Sequence, residues 1–226
     1  MLKNSRYELK FITHDVNYFL IKHWIKMSQH NFFREYKNRI VNNIYFDSLN
    51  FKSFSDNVDG QSRRVKTRYR WYGKFENQSY GNMEFKIKRN VFGYKKTYNI
   101  KNLIIDEKKD FRYIKNKILN ELPRDIGIFF KQNDNPQIIN QYEREYFKTK
   151  NQKFRVTIDR NIKIFDQRKS NIPNISRKTI SQNYIVLEIK FDRKSRENIE
   201  DLISNIPIRI SKNSKYINAF RSIYGI

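Results

Sequence analysis

The chain repeatedly alternates apolar and charged residues over short runs. In the segment from Val65 to Tyr72, for example, cations stand at every second position between threonine and aromatic residues. Period-two runs rich in β-branched and aromatic residues are typical of strands. The predicted strands are Tyr7–Phe11, Asn43–Phe46, Val65–Tyr72, Asn82–Lys88, Tyr94–Ile100, Gln141–Phe147, Lys153–Ile158, Asn161–Phe165 and Tyr184–Phe191. This number of strands favours one closed, mostly antiparallel sheet.

Helical periodicity appears between the predicted strands. Apolar residues at helical spacing predict four helices, two of which end at a proline that cannot continue a helix. The stripes are Val16, Phe19, Leu20 and Met27 after the capping candidates Thr13 and Asp15; Phe111, Ile114, Ile118, Leu119 and Leu122 before Pro123; Ile199, Leu202, Ile203 and Ile206 before Pro207; and Ile217, Phe220 and Ile223. We expect these helices to pack outside the sheet.

The charged faces of five predicted strands share one design. Side chains two positions apart in a strand point to the same side, so the alternation puts Lys66, Arg68 and Arg70 on one face. The same reasoning aligns Glu84 with Lys86 and Lys88, Glu188 with Lys190, Glu8 with Lys10, and Arg155 with Thr157 and Asp159. On an open sheet such a face would be an ordinary solvated surface. Curled inward, it would line a barrel with a cationic lumen.

Length and composition fit one α+β domain spanning residues 1–226. The 226 residues include 18 Phe and 15 Tyr, so aromatic side chains must supply much of the core. The formal net charge of +24 predicts a polyanionic partner, although a Lys- and Asn-rich composition is also typical of AT-rich genomes. There is no cysteine, and neither a secretory signal nor a membrane span is evident. We therefore expect a cytoplasmic protein.

A cationic lumen that also carries carboxylates suits phosphate chemistry. Arg and Lys bind phosphate oxygens strongly in a water-poor cavity. A few carboxylates beside phosphates are the usual ligands of Mg²⁺ or Mn²⁺. Glu188 is the first metal-ligand candidate, while Glu8 and Glu84 could bind the metal or pair with neighbouring lysines.

The ordered motifs resemble the VTC-type polyphosphate polymerase domain, a branch of the triphosphate tunnel metalloenzymes. The resemblance covers nearly the whole chain. Its parts are Arg6-Tyr7-Glu8-Leu9-Lys10-Phe11, Asn43-Ile44-Tyr45-Phe46-Asp47-Ser48, Lys66-Thr67-Arg68-Tyr69-Arg70-Trp71-Tyr72-Gly73, Met83-Glu84-Phe85-Lys86, Tyr94-Lys95-Lys96, Tyr142-Glu143-Arg144, Phe154-Arg155-Val156-Thr157-Ile158-Asp159, Leu187-Glu188-Ile189-Lys190 and Ser214-Lys215-Tyr216. Arg6 stands where the triphosphatase members of the superfamily have the first acid of Glu-x-Glu-x-Lys, which favours polymerisation over hydrolysis.

The resemblance implies roles for the charged residues in transfer of the terminal phosphoryl group of ATP to a growing polyphosphate chain. It makes Glu188 a metal ligand and Lys10, Arg68, Arg70, Lys86, Arg155 and Lys215 tunnel cations. We expect Lys10, Arg68, Arg70 and Lys86 to be catalytic. Lys95 is similar to a further family lysine and Arg144 to a family arginine. The phosphate-binding set is Lys66, Lys88, Lys95, Arg144, Arg155, Lys190 and Lys215.

Two other functions remain open. A protein of the same fold could hydrolyse tripolyphosphate or a nucleoside triphosphate. A non-catalytic domain could bind polyphosphate or nucleic acid, with Trp71 and Tyr72 stacking on bases. The expected ligands are ATP, polyphosphate, orthophosphate and Mn²⁺ or Mg²⁺, with no stable nucleic-acid partner and no membrane span.

Overall fold

A computed structural model describes residues 6–75, 80–90, 92–192, 195 and 199–225 of the protein. The strands in this part of the chain are β1 (Arg6–His14), β2 (Phe32–Asp47), β3 (Arg63–Tyr72), β4 (Tyr80–Arg89), β5 (Phe92–Lys101), β6 (Asn135–Thr149), β7 (Phe154–Asp166), β8 (Thr179–Gln182) and β9 (Tyr184–Asp192). The helices are α1 (Tyr18–Met27), α2 (Lys52–Val58), α3 (Phe111–Glu121), α4 (Arg124–Lys131), α5 (Ile199–Ser204) and α6 (Lys215–Tyr224). A short 3₁₀ turn, Asp15–Asn17, precedes α1.

The strands form an open antiparallel sheet. Their order is β1-β9-β7-β6-β2-β3-β4-β5, with β8 paired to β7. Among the described residues, no pairing joins β1 to β5, the strands at the two ends of this order. The prediction of a closed barrel is therefore wrong. Alternation identifies the apolar face of each strand, but closure requires the first and last strands to pair, which alternation does not encode.

The chain divides into two compact units. Unit 1 comprises the described residues of Met1–Arg39, Tyr142–Ile162 and Gln182–Asn213. Unit 2 comprises those of Ile40–Gln141, Lys163–Ser181 and Ser214–Ile226. The expectation that residues 1–226 form one domain stays a prediction.

In unit 1, the apolar faces of β1, β7 and β9 pack against α1 and α5. In the first half of β7, the buried apolar residues Phe154, Val156 and Ile158 alternate with polar residues as predicted. Leu202 of α5 and Ile21 of α1 join the same cluster. Removing such faces from water supplies most of the favourable free energy of folding.

The predicted apolar stripe of α1 is wrong. Val16, Phe19, Leu20 and Met27 are each at least 45% exposed. The buried side chains of α1 are instead Ile21, Trp24 and Ile25, which face the sheet. Because α1 is apolar on two sides, helical periodicity alone does not reveal which side packs against the strands.

In unit 2, the apolar faces of β3 and β4 pack against α3 and α4. Tyr69 and Trp71 of β3 are fully buried with Met83 of β4. Ile114 of α3 and Phe130 of α4 complete this cluster, which confirms the predicted helix before Pro123. The sequence analysis missed α2 and also α4, although Ile126, Phe129 and Phe130 of α4 are apolar at helical spacing and pack in this cluster.

Helix α6 packs on the charged face of β2 and β3. Its Tyr216 and Phe220 form a cluster with Tyr45 of β2, and Tyr45 lies opposite Arg68 in the β2–β3 register. The expectation that every helix packs outside the charged face is therefore wrong for α6. Alternation could not predict this, because the helix covers only the end of a face that is polar elsewhere.

Asp47, the last residue of β2, anchors α6. Its buried carboxylate accepts hydrogen bonds from the backbone N–H groups of Ser53 (2.8 Å) and Phe54 (3.0 Å) in α2, and from the Tyr216 hydroxyl (2.6 Å). Burial, followed by the charge of Asp47, raises the pKa of Tyr216 far above its ordinary value. One carboxylate thus fixes two helices to the end of one strand.

Candidate functional site

The sequence-predicted residues fall into two charged clusters, one in each unit. The unit 2 cluster contains Lys66, Arg68, Arg70, Glu84, Lys86, Lys88, Lys95 and Lys215. The unit 1 cluster contains Glu8, Lys10, Arg144, Arg155, Glu188 and Lys190. Every predicted site residue belongs to one of these two clusters.

Strand register explains how the unit 2 cluster assembles. Arg68 lies opposite Tyr45 of β2 and Glu84 of β4, whereas Arg70 lies opposite Asn43 of β2. Thr67, Tyr69 and Trp71, the intervening residues of β3, are buried on the other face. Residues directly opposite in antiparallel strands share a face, so the packing of the apolar side holds the arginines on the polar side.

Glu84 is the centre of the unit 2 cluster. Arg68 contacts its Oε2 through Nη2 (2.6 Å) and Nε (2.7 Å), and Lys95 Nζ lies 2.8 Å from its Oε1. Burial alone would raise the pKa of Glu84, but the charges of Arg68, Arg70 and Lys95 outweigh burial and lower it to about 2. The carboxylate therefore stays ionised and fixes the Arg68 guanidinium, whose Nη1 also donates to the Tyr45 hydroxyl (3.4 Å).

Two buried asparagines position Arg70. The Arg70 Nε donates to Asn43 Oδ1 (2.8 Å), and Asn43 Nδ2 donates to Asn140 Oδ1 (2.8 Å). Both asparagines are fully buried. Sequence reasoning did not assign them a role, although an asparagine on the same strand face as Tyr45 was an available signal. The neutral amides orient Arg70 without neutralising its charge.

Lysines face one another at the other end of the unit 2 cluster. Lys66 lies opposite Lys86, which lies opposite Lys95, and Arg64 lies opposite Lys88. Like charges directly opposite one another are destabilising. An anion bound at this end of the face would relieve that repulsion.

Helix α6 begins beside these lysines. Lys66 Nζ donates to the Ser214 hydroxyl (2.9 Å), and Ser214 also caps the helix by accepting from the Ile217 N–H. Lys215 is the first residue of α6. The structure thus brings Lys215 into the unit 2 cluster through the helix that Asp47 anchors.

The unit 1 cluster forms two rows across β1, β9 and β7. Lys10 lies opposite Glu188, which lies opposite Thr157. The adjacent row consists of Glu8, Lys190 and Arg155. The predicted alternation therefore places the residues of the three strands on one face, side by side.

Glu188 is the buried carboxylate of the unit 1 cluster. Its Oε1 lies 2.6 Å from Lys190 Nζ, and its Oε2 lies 3.9 Å from Lys10 Nζ. Lys10 also pairs with Glu8 Oε1 at 2.7 Å and donates to the Asn213 backbone carbonyl at 3.1 Å. Burial would raise the pKa of Glu188, but nearby Lys190, Arg144 and Lys10 lower it well below its ordinary value of 4.5.

Arg144 is paired with a carboxylate that sequence reasoning placed on the charged face without a role. Its guanidinium makes two hydrogen bonds to Asp159, at 2.5 and 2.7 Å. Burial would lower the pKa of Arg144, but Asp159 raises it well above its ordinary value. Since Asp159 is fully buried, this pair holds the positive charge of Arg144 in a fixed place near Glu188.

Arg155 is the most exposed cation of the unit 1 cluster. Its side chain is 46% exposed and lies 4.0 Å from Glu35 Oε1, which also lies 3.6 Å from Lys148 Nζ. Arg155 lies opposite Lys190 in the register. The weak contact to Glu35 leaves the guanidinium able to bind an anion.

The carboxylates fit a metal ion only if the substrate completes its coordination. Among the described residues, no group of three or more His, Asp or Glu side chains could hold a metal by itself. Glu8 and Glu188 both lie near Lys10. One or two carboxylates together with phosphate oxygens and water are how proteins usually bind Mg²⁺, and Glu8 and Glu188 match that donor set.

Comparison with known proteins gives a family match over almost the whole chain. The family model for the VTC domain matches residues 5–224. No curated protein matches the chain.

Two solved structures show similarity in chain trace. One is a candidate adenylate cyclase from Vibrio parahaemolyticus, with 12% identity, coverage of 93% of this chain and 95% of that chain, and a TM-score of 0.49. The other is the Schizosaccharomyces pombe Mediator head module, with 10% identity, 91% and 96% coverage and a TM-score of 0.45. Across the described part of this chain, no helix has the length and apolar character needed to span a membrane.

Proposed function

Because the chain belongs to the VTC domain family, we propose that it is a metal-dependent polyphosphate polymerase. The family indicates a function related to polyphosphate, and the proposal adds the reaction and its donor. The terminal phosphoryl group of ATP would pass to the end of a polyphosphate chain. The supply of ATP agrees with the expected cytoplasmic location, and the protein would not need nucleic acid or a membrane span.

The preorganisation of Arg68 and Arg70 is the observation that carries the proposal. Glu84 fixes one guanidinium and Asn43 the other. Arginines held before substrate arrives lose little entropy on binding and stabilise charge that develops during phosphoryl transfer. Paired like charges, such as Lys66 and Lys86, add a further preference for a polyanion.

The proposed reaction needs no covalent enzyme intermediate. A terminal oxygen of polyphosphate forms a bond to the γ-phosphorus of ATP while the bond from that phosphorus to the β–γ bridging oxygen breaks, and ADP leaves. Positioning and charge neutralisation supply most of the catalysis in such transfers. We assign Lys10, Arg68, Arg70 and Lys86 to charge stabilisation. The phosphate-binding residues are proposed to be Lys66, Lys88, Lys95, Arg144, Arg155, Lys190 and Lys215.

Glu188, assisted by Glu8, would hold Mn²⁺ or Mg²⁺. The ion would supply charge neutralisation on the phosphate oxygens. Lys190 and Lys10 keep the carboxylate of Glu188 ionised, which a metal ligand requires. For Glu84, the contacts with Arg68 and Lys95 favour the alternative of pairing with cations.

The test is to incubate the purified protein with ATP and Mn²⁺ and resolve the products by gel. A ladder of long polyphosphate is expected, whereas free phosphate alone would indicate a hydrolase. Neither product, combined with salt-dependent binding of polyphosphate, would indicate a binding domain.

Arg70→Ala separates the site from the fold in the same assay. It should reduce turnover at least about a hundredfold, while Glu84 keeps its contacts with Arg68 and Lys95. Arg112→Ala, on the exposed side of α3, is the matched control and should retain wild-type turnover. Equal turnover of the two variants would contradict the assignment of Arg70.

A further inference from the structure

A buried hydroxyl without a partner lies within the unit 1 cluster. Thr157 Oγ1 is inaccessible to solvent and has no hydrogen-bond partner among the described residues. Leaving a buried hydroxyl unbonded is unfavourable. In a charged site such a hydroxyl is available to a ligand.

The neighbours of Thr157 include two carboxylates and two cations, and the cations offer a place for an anion. In β7, Thr157 stands between Arg155 and Asp159, and it lies opposite Glu188. Glu188 directs Oε1 to Lys190 at 2.6 Å. Thr157 therefore has a carboxylate directly across from it, and the cations Arg155 and Lys190, which face each other across the strands, occupy the adjacent row.

We propose that the Thr157 hydroxyl donates a hydrogen bond to a phosphoryl oxygen that Arg155 and Lys190 bind. This inference rests on the proposed function and deepens it by adding a neutral donor to a set of cations. A phosphoryl oxygen accepts several hydrogen bonds at once, and the hydroxyl can rotate to meet it. Thr157 thereby orients the phosphoryl group, whereas the two flexible cations neutralise its charge.

A second buried hydroxyl provides a matched control. Thr67 Oγ1 is likewise buried and without a partner in the described part of the chain. It lies on the apolar face of β3, between Phe46 of β2 and Phe85 of β4. No anion could approach it there without displacing the aromatic core, so Thr67 reports the effect of an unbonded hydroxyl alone.

The experiment compares Thr157→Val, Thr157→Ser and Thr67→Val. Tripolyphosphate binding is measured by titration calorimetry with EDTA present, so that any metal contribution is removed, and stability by thermal denaturation. Thr157→Val should weaken binding about tenfold, the loss of one hydrogen bond to a charged acceptor. Thr157→Ser should restore binding to within about threefold of wild type, while Thr67→Val should not change it.

Stability distinguishes a ligand contact from a structural role. Each valine removes an unsatisfied buried hydroxyl, so both Thr157→Val and Thr67→Val should melt at or above the wild-type temperature. Wild-type affinity in Thr157→Val would overturn the assignment of Thr157 alone. Lower melting of Thr157→Val would also overturn it, because the hydroxyl would then be bonded in the free protein. A wild-type protein that binds no tripolyphosphate in EDTA would overturn this inference, whereas the proposed function fails only if the ATP and Mn²⁺ assay yields no polyphosphate.

Discussion

The two charged clusters each contain one buried glutamate, yet the glutamates are held differently. Glu84 of unit 2 has Arg68 on one oxygen and Lys95 on the other, all within 2.8 Å. Glu188 of unit 1 has one oxygen tightly bound to Lys190, while the other lies 3.9 Å from Lys10. The first carboxylate serves to hold an arginine in place. The second retains an oxygen that a metal could bind.

The arginines of the two clusters differ in whether their partner is neutral or charged. In unit 2, Arg70 is oriented by a neutral amide of Asn43, and its charge also acts on the buried carboxylate of Glu84. In unit 1, Arg144 is neutralised by two hydrogen bonds to Asp159. Unit 2 thus presents oriented cations, and unit 1 presents a less constrained carboxylate. Four substitutions or conditions test this difference.

The largest expected effect is on stability, from Asp159→Asn. The substitution leaves the buried Arg144 without its counter-charge, and breaking a buried ion pair in this way costs about 3–5 kcal/mol. The free energy of unfolding from urea denaturation measures the loss. The control is Glu143→Gln, which breaks the more exposed ion pair between Glu143 and Arg160. It should cost less than about 1 kcal/mol. Equal losses would contradict the structural role of Asp159.

Acid should destabilise the protein through Glu84. Its pKa is lowered from 4.5 to about 2 in the folded state, so its ion pairs stabilise the fold above pH 4.5, and that stabilisation is lost as the pH falls towards 2. The lowering corresponds to about 3 kcal/mol. Unfolding of wild type and Glu84→Gln at several pH values tests this. A difference between them that stays constant from neutral pH to pH 2.5 would contradict it.

Metal dependence should distinguish Glu188 from Glu84. Glu188→Gln removes the charge that a metal needs and should raise the Mn²⁺ concentration for half-maximal turnover about a hundredfold, or about 2.7 kcal/mol. Glu84→Gln should lower turnover by disturbing Arg68, while leaving the Mn²⁺ requirement within about threefold of wild type. The same Mn²⁺ shift in both variants would show that the two carboxylates do not differ in this respect.

The smallest expected effect comes from Tyr216→Phe. It removes the hydroxyl that donates to Asp47, and a hydrogen bond to a charged group contributes about 1.5–3 kcal/mol, here partly offset by the three backbone donors of Ser48, Ser53 and Phe54 that remain. We expect a loss of about 1.5 kcal/mol in the free energy of unfolding. Tyr80→Phe, at a 60% exposed site in β4, should cost nothing measurable. A loss of similar size in both would contradict the anchoring role.

Sequence alternation predicted which side of each strand is charged, because a side-chain period of two follows from strand geometry alone. For β3 it predicted that Arg68 and Arg70 share one face, and in the structure Tyr69 and Trp71 are buried on the other. It wrongly predicted closure of the sheet and did not predict the position of α6, because both depend on contacts between distant parts of the chain.

The partners of the site residues were less predictable than their faces. Alternation aligned Asp159 with Arg155, but the contact of Asp159 with Arg144 depends on the packing of β6 beside β7. Likewise, nothing local indicates that Asn140 supports Asn43, since 97 residues separate them. A side chain's orientation is a local property, whereas its hydrogen-bond partner is set by tertiary structure.

The anchoring of α6 by Asp47 also bears on how the protein folds. The two residues of this contact are 169 positions apart, and α6 follows every other described element along the chain. Contacts between distant residues form slowly, since a long loop must close first. We therefore expect α6 to dock in a late kinetic phase of folding. Until then, the basic face that α6 covers at Tyr45 stays open. A polyanion bound there early would delay the docking of α6.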